Sequence, residues 1–347
     1  MNSVRWPNAA RQQFDLQDQY AEPIHVAISG AAGSVSYSLV FRIAAGGMFG
    51  THQPIVLRCL DVAERQPSLE ALRMELYECA FPLLVDFQAT ADPDEAFKDA
   101  DWIILLAGRT APMPHSDHRS ALELNGPIYR DHGQAINRCA PLARVLVVGT
   151  PSHTNCLIAM TNAPQLPRER WVALNRLYQI RATALIAEKL RVPVSHVNRV
   201  NVWGNPGPHL YVDFHNSFVG DTPASHLIQD REWECKTLQR EVMSRVEEHF
   251  QLRGAAPAAS AAQAILGTIR ALTAPTSVLN RFGAGVVSDG SYGVPSGLIF
   301  GFPLRTEDGQ KWNIVQGLYH DDFAIECLNA SITELQDEAA LAIRFFE

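Results

Sequence analysis

A chain of 347 residues, 47% apolar and 19% charged, is long enough for two domains with sizeable buried cores. Its formal net charge of -8 argues against a nucleic-acid binder, which needs a basic stripe, and fits a small-molecule enzyme. No stretch is apolar for long enough to span a bilayer, and the 6 cysteines form no C-x-x-C pair, so neither a zinc site nor a redox dithiol is indicated.

Residues 1–23 read as a polar arm without the apolar core of a signal peptide, which makes a reducing, cytoplasmic setting the default expectation. IHVAISG then predicts a buried strand ending in glycine, and AAGSVSYSLVFRIAAGG a helix stopped at Gly46–Gly47. PIVLRCLDV predicts a second buried strand and SLEALRMELYECA a helix. DWIILLAG and ARVLVVGTP predict further strands, separated by a helix from Ser116 to Cys139. Near-continuous apolar strands alternating with helices imply a doubly wound parallel sheet over residues 24–150. Residues 151–347 mix long helices (Arg170–Leu190, Trp233–Leu252 and the Ala-rich stretch after Gly254) with short strands such as VNRVNVWG, and predict an α+β unit. A last helix is expected from Asp322 onward.

The first strand, then Gly30-Ala31-Ala32-Gly33-Ser34-Val35-Ser36, then a helix is the order that a dinucleotide site requires. Gly30 allows the tight turn and Gly33 the close approach of backbone to a pyrophosphate seated on the helix N-terminus. Ser36 takes the third glycine position as another small residue. Asp61 ends the second strand, where a carboxylate accepts hydrogen bonds from ribose hydroxyls and repels a 2′-phosphate; this predicts NAD rather than NADP. A plainer role for Asp61 is capping the next helix.

VAISGAAGSVSYSLVFRIAAGGMFG, LDV…LRMELYECAFPLL, AFKDAD, LELNGPIY, VLVVGTPSHTNCLIAM, RLYQIRA, VNVWGN and VVSDGSYGVPSGLIFGFP together resemble the malate dehydrogenase family, in its cytosolic-type branch. The resemblance runs in order from Ile24 through nearly the whole chain. It implies a Rossmann NAD domain, a substrate/dimerisation domain and a homodimer. It implies that Gly108 and Asn125 join Gly30, Gly33, Ser34, Val35 and Asp61 around the cofactor. It also implies that Arg181 clamps a substrate carboxylate.

The departures lie in the chemistry. The family moves a hydroxyl proton with a histidine oriented by an aspartate, in motifs resembling W-G-N-H-S and R-L-D-x-N-R-A. Here the histidine position is Pro206 and the aspartate position Tyr178. Ordinary malate oxidation is therefore expected to be severely impaired. In the mobile loop Arg109 takes the place of one family arginine, and the second falls at His118 or Arg119. Thr150 replaces the asparagine that touches nicotinamide and substrate. Candidates for replacement chemistry are His209, just past the lost histidine, His153 in the TPSHTN turn, and the Tyr178 phenol. Plainer roles are a strand-start, a turn and a volume-filling residue. His115 and His118 sit on the loop, either binding an anion when protonated or as ordinary loop residues.

No local spacing forms a metal site, so none is predicted; only tertiary assembly would make one. The reading that best joins an intact cofactor loop to a lost relay is an NAD-dependent oxidoreductase acting on an unusual small anionic, malate-like compound. The alternatives are a non-redox enzyme on the same fold and a catalytically silent NAD-binding protein.

Overall fold

The computed structural model describes residues 21–109, 118–277 and 279–346. The expected N-terminal arm thus falls almost wholly outside the described residues.

The organising element is a nine-stranded sheet. Its strands are β1 (Ile24–Ser29), β2 (Ile55–Leu60), β3 (Leu84–Thr90), β4 (Trp102–Leu105), β5 (Arg144–Val147), β6 (Trp171–Ala173), β12 (Phe282–Val287), β13 (Ile299–Thr306) and β14 (Trp312–Ile314). The first six lie in the order 3-2-1-4-5-6 and all pair in parallel. Helices α1 (Ser34–Ala44), α2 (Gln66–Glu78), α3 (Pro93–Phe97), α4 (His118–Cys139) and α5 (Ser152–Thr161) alternate with them along the chain. β4 is buried at all four positions, the pattern of a strand covered on both faces. Strand order reverses between β1 and β4, and ligands of such sheets bind beyond the carboxyl ends of the strands at that switch point.

β3 and β6 escape a reading based on apolar runs. β3 is the sheet's edge and exposes Gln88 and Ala89, while β6, Trp171–Ala173, takes the first part of the stretch expected as a helix from Arg170, so that helix begins only at Arg176. β12 then joins β6 antiparallel, and β13 and β14 follow, so the second half of the chain extends the first half's sheet.

The rest is helical, with small strand pairs. α6 (Arg176–Leu190) is followed by the pieces β7 (Val197–Asn198) and β8 (Asn201–Trp203). The single strand expected over VNRVNVWG is broken at Arg199, whose φ of 55° is left-handed and whose guanidinium lies over the Phe218 ring. β8 pairs with β9 (Tyr211–Asp213), and β10 (Phe218–Val219) lies between β7 and β11 (Thr222–Pro223). After the short α7 (Ala224–Leu227), the expected helix from Trp233 opens as a π-helical turn, Trp233–Leu238, before α8 (Gln239–Arg253). The Ala-rich stretch forms α9 (Ala258–Thr273), whose alanines let it pack closely on α1. The Arg42 guanidinium of α1 donates to the Ala259 carbonyl at 3.2 Å across that contact. The last helix, α10 (Asp322–Ala342), starts where expected, with the Asp321 side chain accepting from the Ala324 amide at 2.9 Å.

Candidate functional site

The cofactor cradle is built from the loops after β1, β2 and β4. Gly30 has φ +69°, and a Cβ there would sit 2.8 Å from the Ala107 backbone, so only glycine lets the two loops meet at the switch point. The Gly33 amide closes the turn on the Gly30 carbonyl at 3.1 Å. α1 begins at Ser34 with no side-chain cap and no acidic residue in its first turn, and Gly33 and Ser34 are exposed. Its leading amides, with Val35 next in line, present an open positive helix end. The Ser36 side chain is buried under this turn, as the small third position requires.

Asp61 ends β2 beside the cradle. One carboxylate oxygen accepts from the Ala32 amide at 2.9 Å and the other from the Val62 amide at 2.9 Å. It thus touches the glycine loop itself. Asn125 of α4 ties the third wall together: its Oδ1 accepts from the Arg109 amide at 2.7 Å, and its Nδ2 donates to the Thr150 carbonyl at 3.2 Å. Gly108 lies against the Asn125 side chain, and the exposed Thr150 and Arg109 flank the opening. An uncapped helix end, a glycine turn and a carboxylate at the next strand end fit NAD.

Near the substrate motifs, Arg181 is 7% exposed; one guanidinium nitrogen donates to the Val242 carbonyl at 3.2 Å, and Nη2 has no partner among the described residues. Burial holds its pKa below the usual arginine value. A buried guanidinium with an unused N–H fits a carboxylate. The Tyr178 ring lies under it at 5.1 Å, packed in the apolar cluster of α6 and α8, and burial raises its phenol's pKa. Tyr178 thus supplies a face to Arg181.

The other sequence-predicted residues are placed as follows. His209 is exposed on the loop after β8. His153 is 1% exposed, with Nδ1 at 3.2 Å from the Ser152 hydroxyl and Nε2 turned toward Gly285 of β12. Burial pulls its pKa down to about 3, so it is neutral at physiological pH. Arg119 is exposed and faces Glu123 at 3.8 Å, a surface pair of small energetic value. His115 lies outside the described residues.

His118, at the start of α4, is held against α10. Its Nδ1 lies 2.7 Å from Glu338 Oε1 and 3.7 Å from Glu334 Oε1. The second Glu338 oxygen accepts from the Thr154 hydroxyl of α5. Glu334 in turn lies against Gly207 and near the Asn205 side chain, on either side of Pro206. Ser331, one turn earlier on α10, donates to Asn205 Oδ1 at 2.8 Å and pins the loop there. Glu334 and Glu338 escape sequence reasoning because they lie on the last helix, far along the chain from the motifs. The only local sign is their spacing of four, which places two carboxylates on one face of α10. The metal-capable atoms of His118, Glu334 and Glu338 lie within 4.8 Å of one another, a grouping that local spacing alone did not predict.

Comparison with known proteins agrees with this geometry. Residues 24–172 match the lactate/malate dehydrogenase NAD-binding domain, and residues 175–346 the lactate/malate dehydrogenase α/β C-terminal domain. The chain is 40% identical over 320 residues to a malate dehydrogenase of Protochlamydia amoebophila, covering 92% of this chain and 97% of that one. It superposes on a crystal structure of malate dehydrogenase from Naegleria fowleri with a TM-score of 0.89 and 31% identity, covering 94% and 100% of the two chains. It superposes on Trichomonas vaginalis lactate dehydrogenase in complex with NADH and oxamate with a TM-score of 0.88 and 32% identity, covering 93% and 98%. The chain belongs to the lactate/malate dehydrogenase family, with NAD as its cofactor.

Proposed function

We propose that this NAD-dependent oxidoreductase interconverts a small anionic 2-hydroxy acid and its 2-oxo acid, and that the compound is not malate itself. NAD, when bound, supplies the two-electron hydride acceptor. The protein's part is to hold the substrate carboxylate on Arg181, to keep the nicotinamide near Thr150 and to manage the hydroxyl proton. The observation that carries the reading is an intact cradle at Gly30, Gly33 and Asp61 beside a relay position held by Pro206 and Tyr178. Neither a pyrrolidine ring nor a buried phenol performs the imidazole–carboxylate transfer, a contribution of roughly 10²–10⁴-fold.

In the same reading residues 24–150 carry the dinucleotide, and residues 151–347 carry the substrate and the dimer contact. The protein works as a homodimer in the cytoplasm, with its six cysteines as free thiols. Fluorescence titration with NADH and NADPH, followed by oxaloacetate reduction, tests the proposal. NADH is expected to bind more tightly than NADPH, and oxaloacetate to turn over very weakly. Robust malate dehydrogenase activity would overturn the reading of Pro206 and Tyr178 as a lost relay.

A further inference from the structure

We propose that Glu334 is the proton carrier that replaces the imidazole lost at Pro206, with His118 and Glu338 as its positioning residues; this rests on the oxidoreductase reading above. Position comes first. Glu334 reaches from α10 to the loop Asn205-Pro206-Gly207, and a Cβ on Gly207 would collide with its carboxylate. Glycine at 207 leaves that space to the acid. The carboxylate therefore occupies ground next to the residue that replaces the family histidine.

Two buried polar atoms mark the spot. Glu334 Oε2 and Asn205 Nδ2 make no hydrogen bond of good geometry among the described residues, although the Asn205 amide lies close enough to Glu334 to oppose the rise in its pKa; Asn205 is 1% exposed. Orphaned buried polar atoms are costly, so a pair of them beside the loop at Pro206 marks a place where a reacting group or a water completes the network. The Asn205 carbonyl side is already fixed by Ser331, which aims the orphaned NH2.

The surroundings suit proton transfer. Burial pushes the Glu334 pKa above the ordinary carboxylate range; His118 opposes that rise and Glu338 adds to it. Two carboxylates on one helix face, with environments that differ, are the arrangement that divides acid from base. Glu338 is the more buried, and it is committed to His118 and to the Thr154 hydroxyl. Glu334 remains as the group able to gain and lose a proton. The groups facing it are His118 from α4, Glu338 from its own helix, and Asn205 and His209 from the loop, with His153 of α5 acting in turn on His118's side.

In the reducing direction, the carbonyl carbon of the 2-oxo acid gains a C–H bond by hydride transfer from the reduced nicotinamide, which is oxidised. The C=O π pair moves to oxygen, the O–H bond forms with the proton of Glu334, and Glu334 is left as carboxylate. A solvent proton restores it. The reverse direction returns the proton from the hydroxyl to Glu334.

The test uses the full chain with NADH and a panel of oxaloacetate, pyruvate and phenylpyruvate, following whichever is reduced fastest. Glu334→Gln is expected to lower kcat about 10²–10⁴-fold, to leave the NADH Kd unchanged and to abolish one limb of the pH profile. His118→Gln is expected to move that limb to higher pH, because the imidazole opposes the rise at Glu334. Wild-type kcat and an unchanged limb in Glu334→Gln would overturn the proposal. So would loss of activity on chelation with recovery on adding Mn²⁺, because the trio would then be holding a cation. If NADH binds but the wild-type protein reduces no 2-oxo acid, the substrate class itself fails, and the relay with it.

Discussion

Single side chains decide the cofactor site. Asp61 accepts two backbone amides, one from the glycine loop and one from its own strand end, and this orients its carboxylate toward the cradle. Hydrogen bonds to a charged acceptor are worth about 1.5–3 kcal/mol, so Asp61→Ala is expected to weaken NADH binding at least about tenfold. Fluorescence titration reads this directly, and an unchanged Kd would remove Asp61 from the ribose site. The same variant is expected to narrow the preference for NADH over NADPH, because the charge that repels a 2′-phosphate is gone. His153 shows the opposite lesson. Its place in TPSHTN suggests chemistry, yet the backbone turns its ring under the sheet, where burial keeps it neutral.

Elements decide which residues meet. α4 carries Asn125 toward the cofactor loops and His118 toward α10, and it buries His132 between Phe97 and Tyr129. The His132 ring meets Phe97 edge-on at 5.4 Å, and its Nδ1 has no partner among the described residues. Burial lowers its pKa from 6.5 to about 4. The sign follows from linkage. Below the unfolded value near 6.5 the unfolded chain takes up a proton that the native state refuses. This contribution is therefore complete above that pH and is lost as pH falls toward the folded value, on the order of 3 kcal/mol at the lower end. His153 acts in the same direction. Thermal unfolding is expected to shift to lower temperature between pH 7 and pH 4.5, and His132→Phe to flatten that dependence. An equally steep dependence in the variant would place the titrating group elsewhere.

At the scale of the whole molecule, both halves of the chain share one sheet, because β12 pairs with β6. α1 and α2 keep apolar side chains in solvent: Tyr37 is 47% exposed, Met74 55% and Tyr77 38%. An exposed apolar face of this kind is what the homodimer reading would cover. Light scattering after size exclusion is expected to give about twice the chain mass of 38.3 kDa; a monomer at micromolar concentration would remove the dimer from the proposal. None of the helices among the described residues is long and apolar enough to cross a membrane.

The sequence by itself determined the parallel sheet, the glycine turn and Asp61, since these depend on residues close together along the chain; the reading of Pro206 and Tyr178 as a replaced pair rests on the family resemblance. Apolar runs report burial on both faces, and a glycine motif reports a local backbone need. The edge strand β3 carries too little apolar pattern to be read that way, and the three-residue β6 is too short to be told from the helix that follows it. Only the tertiary structure decided what stands beside Pro206. Glu334 and Glu338 lie more than a hundred residues from that loop and from His118, and they reach both because α10 packs back against α4, α5 and the loop after β8. A carboxylate spaced like any surface pair acquires its chemistry from the burial and neighbours that packing gives it.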